Sequence, residues 1–185
     1  MKRWLKLCSA VGVALSMQAC AWVPPMLGGT AGYGDPQRNP LIVSSQNAIH
    51  ALADGMARHE LGDAPVLVAT VVNVNQLSRS APLGRTLSEL YASQLSRLGF
   101  NVKELKLRGD VFIQEGTGEL LLSREIRNIA DTHKASAVLV GTYAQARQNV
   151  YISIKLVRTG DSRIVRSYDY ALPYEADIQK LLVGN

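Results

Sequence analysis

Thiols and imidazoles are scarce in this chain. Its 185 residues hold two cysteines and three histidines. His50 and His59 fall nine residues apart on one expected helix, about 180° from each other by helical periodicity, so they do not share a metal. His59 and Asp63 form only a weak pair beyond the expected helix end, and His133 sits at the rim of an apolar face. A structural or surface role fits all three. No G-x-S-x-G elbow and no P-loop are present. Gly116-x-Gly118 is an incomplete dinucleotide fingerprint, and Glu115 and Glu119 beside it read as a solvated turn. The residue content therefore points away from an enzyme and calls for no cofactor and no metal.

A long hydrophobic run is also missing. The apolar stretch from Leu7 to Leu15 is too short to span a bilayer comfortably, but it suits the core of a signal peptide, with Lys2, Arg3 and Lys6 ahead of it. It ends in Leu15-Ser16-Met17-Gln18-Ala19-Cys20. That ending resembles the lipobox of bacterial lipoproteins, although Met17 stands where leucine is usual and Gln18 replaces a smaller residue. The resemblance implies cleavage between Ala19 and Cys20, lipid on the Cys20 thiol and acylation of the new amino group. The alternatives are a secreted protein with a chance cysteine and an uncleaved helix. Ser16, Gln18 and the Pro24-Pro25 pair argue against the helix.

Strong charge of one sign is absent once that leader is set aside. Three of the 20 basic residues and none of the 15 acidic ones precede Cys20, leaving 17 against 15, a net of +2. Such a balance gives no reason to expect nucleic acid as a partner. Cys8 leaves with the leader, so Cys20 has no intramolecular disulfide partner. Two acyl chains already give stable anchoring, each buried methylene contributing about 0.8 kcal/mol. Ala21 replaces the aspartate that marks inner-membrane retention in enterobacterial lipoproteins. The sorting rule implies the outer membrane, with the domain facing the periplasm.

The expected organisation is a signal peptide over 1–19, a lipidated cysteine and flexible tether over 20–40, and a folded domain over 41–185. The tether is rich in Gly and Pro without apolar periodicity. Trp22 and Met26 either dip into the lipid interface or lie exposed. Ser44 or Ser45 is expected to cap a first helix carrying Ala48, Ile49, Leu52, Ala53 and Met56, with Gly62 as its stop. Val66 to Val72 reads as one strand buried on both faces. Leu83, Leu87, Leu90, Tyr91, Leu95 and Leu98 stripe a second helix that ends at Gly99. A strand over Phe100 to Leu107, an ambiguous stretch from Asp110 to Leu122 and a helix capped by Ser123 follow. Ala137 to Gly141 is a further buried strand. Val150, Ile152, Ile154 and Leu156 alternate with polar neighbours and predict a half-exposed antiparallel strand. Ile164 to Tyr170 returns as its hairpin partner, and Ile178, Leu181 and Leu182 mark a short last helix. Together these predict one α/β sandwich with a mixed sheet packed by helices and a terminal antiparallel hairpin.

Arg158, Arg163 and Arg166 gather near that hairpin, with Tyr143, Tyr151, Tyr168 and Tyr170 on its strands. Arginines beside aromatics are common at protein interfaces. Arg158, Arg163, Arg166, Tyr151 and Tyr168 are thus the candidate partner surface; at least half of the tyrosines are equally readable as core. Arg124, Arg127 and Lys134 form a second basic rim, which reads more simply as a solvated face.

The strings VLVATVVNVNQL, GRTLSELYASQLSRLGFNVKELKLRGDVFI and GELLLSREIRNIADTHKASAVLVGTYA resemble, in that order, the FlgO-like outer-membrane lipoproteins. NVYISIKLVRTGDSRIVRSYDY is similar to the end of that family. The likeness covers roughly Ser45 to Leu172, most of the expected domain. It implies a fold like the α/β N-terminal domain of TolB. It also implies a non-enzymatic module that supports flagellar assembly, stability or motility from the outer membrane. Its partners would be flagellar basal-body or other periplasmic envelope proteins. A general cell-envelope scaffold or peptidoglycan-synthase-activator type of lipoprotein is the alternative. The only family site that carries over is the acylated cysteine, Cys20.

Overall fold

Asn39 opens the first element. Its side-chain oxygen accepts from the backbone N–H groups of Leu41 at 3.0 Å and Ile42 at 3.3 Å, and Pro40 takes the first helical position, where no N–H is needed. A computed structural model describes residues 39–56, 61, 63–77, 80–105 and 124–183, with the side chains of residues 124–126 outside that description. Cys20, Ala19, the expected tether as far as Arg38, the 110–122 stretch, Ser123 and His59 lie outside the described residues.

Helix α1 runs Pro40–Ala53. It starts a turn before the expected serine cap, because Asn39-Pro40 is the stronger start signal. Ser45 instead lies buried on the inner face. The helix also stops well before Gly62. Asp54 leaves the helical region and Gly55 turns the chain at φ +65°. Met56 falls outside the helix and packs against the core from its margin.

The apolar run after Pro65 forms two strands, β1 Val66–Ala69 and β2 Val72–Asn73, where one continuous strand is expected from sequence. β1 pairs in parallel with both β3 (Val102–Leu105) and β4 (Ala137–Gln145), whereas β2 pairs with β4 alone. The break between them lets the Val71 carbonyl turn aside and accept the Ser80 hydroxyl at 2.8 Å. Both faces of this run are covered. Val66, Val68 and Val71 join one apolar cluster, while Leu67, Ala69 and Val72 join another.

Helix α2, Pro82–Arg97, buries Leu83, Leu87, Tyr91 and Leu95 at the expected spacing. Gly99, at φ +87°, ends it. Near its start Gly84 lies directly against β-sheet backbone. A methyl group there would collide with the Val71 carbonyl and the Ser80 hydroxyl. Helix α3 spans Arg124–Thr132, followed by β4, β5 (Asn149–Arg158), β6 (Ile164–Pro173) and helix α4 (Ala176–Val183).

The sheet order is β3-β1-β4-β5-β6, with β2 beside β4. β4–β5 and β5–β6 are antiparallel. The fold is thus the expected α/β arrangement of a mixed sheet packed by helices, with an antiparallel hairpin near the C-terminal end. Its two faces are unequal. Helices α1, α2 and α4 share the larger cluster with Leu139, Ile152, Ile154, Leu156 and Leu172. The smaller cluster draws Ala130 of α3 onto Leu67, Val138 and Val157. Among the described residues, one short helix is all that packs on that second face.

Candidate functional site

Strand alternation places every second residue of β4, β5 and β6 on the second face. Beyond the reach of α3, these residues are mostly small. Thr142, Ser153 and Asp169 form one cross-strand row, and Ala144, Tyr151 and Ala171 form the next. Small side chains between larger rims leave a hollow. Val74, just after β2, and Tyr151 wall a groove of about 480 Å³ whose floor includes Thr142, Ala144, Ser153 and Ala171. Val74 is 47% exposed and Tyr151 55% exposed. Exposed Val74 and Tyr151 around a concave, largely apolar lining make this hollow the candidate contact surface.

The groove offers the Thr142 and Ser153 hydroxyls and the Asp169 carboxylate as polar groups. Such a set can hold a ligand by contact and hydrogen bonding. Among the described residues, no three His, Cys, Asp or Glu side chains are gathered as a metal site.

The expected partner surface is divided by the sheet. Tyr151 stands on the groove face. Tyr168 lies half-buried against the larger core on the other face, its ring 6.4 Å from that of Tyr170. Arg158 closes the far end of β5 from Tyr151, about 23 Å away at the usual rise per residue. It pairs with Asp161 at 3.2 Å, and the Arg163 backbone N–H donates to the same carboxylate at 3.1 Å. Arg166 sits at a register shift opposite Leu156 and donates to the neighbouring Val165 carbonyl at 2.9 Å. The three arginines therefore lie around the hairpin turn, and Tyr151 belongs to a different site. Of the second basic rim, Arg127 and Lys134 are exposed.

Two tyrosines of the hairpin region serve the interior. Tyr143 is buried on β4, its hydroxyl accepting from the Ala81 N–H at 3.3 Å. The Tyr170 hydroxyl meets that of Tyr91 at 2.6 Å and lies 3.5 Å from the Ser45 hydroxyl. Burial pushes both phenols up from their ordinary range. For Tyr91, the neighbouring Tyr170 adds to that rise, whereas hydrogen bonds from Ser45 and Tyr91 partly offset it at Tyr170. His50 is exposed and shares a 2.8 Å hydrogen bond with Gln94 of α2, a tie between two helices.

The sequence points to Tyr151 but not to Val74, Thr142, Ala144, Ser153, Asp169 and Ala171. The available signal was a run of small residues at alternate positions of β4 and β6. It predicts an uncovered sheet face only once the strand order is known.

Three helices over one face of a mixed sheet, with one short helix and an open groove on the other, define an α/β fold with a candidate binding face. The model of the family described as FlgO protein matches residues 46–177, and this chain belongs to that family. No curated protein matches the chain. Among solved structures, the C-terminal domain of LpoB from Escherichia coli is similar at 16% identity and a TM-score of 0.50, covering 71% of this chain and 97% of that one. The LpoB C-terminal domain from Salmonella enterica is similar at 15% identity and a TM-score of 0.45, covering 69% and 94%. The PelC dodecamer from Paraburkholderia phytofirmans is similar at 16% identity and a TM-score of 0.43, covering 64% and 74%. Identities this low speak to fold, not to shared partners. The family match supports an envelope lipoprotein of non-enzymatic type.

Proposed function

We propose that this protein is an outer-membrane lipoprotein that supports flagellar assembly, stability or motility through periplasmic protein contacts. The observation that carries the reading is the FlgO family match across residues 46–177. The lipobox-like ending at Cys20 supports anchoring, and the groove walled by Val74 and Tyr151 supplies a contact surface. Acylated Cys20 confines the domain to a membrane surface, where a periplasmic partner meets it at raised effective concentration. Contacts around Arg158, Arg163 and Arg166 remain part of the proposal as a second, polar surface at the hairpin turn.

Deleting the gene tests this reading. Swimming and filament retention are expected to fall, to recover with the wild-type gene, and to stay low with Cys20→Ser, which folds but is released from the membrane. Full swimming in the deletion strain would contradict the flagellar role. Full recovery with Cys20→Ser would contradict the need for an anchor.

A further inference from the structure

Strand β6 lies at one edge of the sheet, and among the described residues no strand pairs with its outer side. The Tyr174 N–H donates to the Gln148 carbonyl at 2.9 Å, which fixes the hydrogen-bonding parity of the β5–β6 ladder. Val150, Ile152 and Ile154 exchange bonds with Leu172, Tyr170 and Tyr168. The intervening residues Ser167, Asp169 and Ala171 therefore aim their N–H and C=O groups outward. Pro173 occupies the next outward position, where its missing N–H costs the ladder nothing. A register shift at Leu156/Val157 disturbs the opposite end. Between these two stops lies an open edge from Ser167 to Ala171, and Asp169 and Ala171 also line the groove.

We propose that this edge binds an extended segment of a partner protein by strand addition, with a Lys or Arg of that segment opposite Asp169 and an apolar side chain opposite Ala171. Main-chain bonds to Ser167, Asp169 and Ala171 supply the affinity, and side chains entering the groove supply the choice of partner. Charge selects the cation. Asp169 is exposed and is the acidic residue of the groove. Lys155 stands only diagonally across from it, since Ser153 is its direct neighbour and Lys155 faces Ser167. A cation on the added strand would be directly opposite Asp169.

The same residues disfavour a second copy of this chain. A two-fold antiparallel pairing centred on Asp169 sets two carboxylates against each other. Centring it one residue earlier brings in the register shift, and one residue later brings in Pro173.

This inference rests on the groove being a contact surface. Its test is independent of motility. The full chain, labelled with nitrogen-15, is titrated with a capped peptide about seven residues long, in which one arginine and, two residues on, one valine share a strand face with threonines between them, and with a counterpart carrying glutamate in place of the arginine. The arginine peptide is expected to shift the Ser167, Asp169 and Ala171 amides and slow their exchange with solvent. The glutamate peptide is expected to do neither. Asp169→Lys should weaken binding by about tenfold or more. Ala171→Pro removes an outward donor while sparing the inner ladder, and should have a similar effect on the Ser167 and Asp169 amides. Equal response to both peptides, or undiminished binding by Asp169→Lys, would overturn the proposal. So would amides already protected in the free protein by a second copy. A negative result here beside lost swimming in the deletion strain would remove strand addition and leave the envelope role in place.

Discussion

Tyr91 and Tyr170 show how single residues set this core. Both phenols are buried by apolar neighbours, and each finds a hydroxyl partner. A buried hydroxyl without one costs more than the bond itself contributes. Tyr91→Phe removes a member of the network while Ser45 still meets Tyr170. It is expected to cost about 0.5–1.5 kcal/mol, read from urea unfolding near neutral pH. The pH dependence has a definite sign. Because the folded-state values are raised, the native state resists losing these protons. Stability is fully present below about pH 10, the unfolded tyrosine value, and falls as pH rises through the folded values. Tyr91→Phe should therefore lose less stability than wild type as pH rises above about 10. An equal or steeper loss in the variant would contradict this origin. From sequence, Tyr91 was readable as core by its helical spacing. The pairing with Tyr170 was not, because it joins residues 79 positions apart.

At the scale of elements, periodicity was legible and punctuation less so. The stripe of α2 and the alternation of β5 predict the buried sets Leu83, Leu87, Tyr91, Leu95 and Val150, Ile152, Ile154, Leu156. The start of α1 is hard to place because Ser44 and Ser45 look like caps, while Asn39-Pro40 reads as the end of the tether. The split between β1 and β2 was missed because every residue of the run is apolar or β-branched. Its reason lies elsewhere in the chain, where Gly84 lets the start of α2 approach the Val71 carbonyl. Gly84→Ala must push backbone apart at that contact. It is expected to destabilise by about 1–3 kcal/mol, measured as a lower unfolding midpoint. An unchanged midpoint would show that the helix start can move away freely. The open second face was equally illegible. Small residues such as Ala144 and Ala171 look unremarkable in sequence and form a groove only through strand order.

Over the whole molecule, the asymmetry of the sheet matters most. Three helices cover one face and bury most of the core. The other face keeps an apolar groove open beside an edge that is unpaired among the described residues. Among the described residues, no helix is long and apolar enough to cross a membrane; the proposed attachment is through Cys20. The most direct test of the account is the swimming radius of a deletion strain complemented with Tyr151→Arg. This change removes an exposed wall of the groove and sets a cation near Asp169, while altering stability by only about 0.5 kcal/mol. Membrane localisation and protein level are followed alongside. The account predicts a normally folded, normally anchored protein that fails to restore full swimming. Wild-type swimming from that variant, at wild-type abundance, would contradict the claim that this face carries the function.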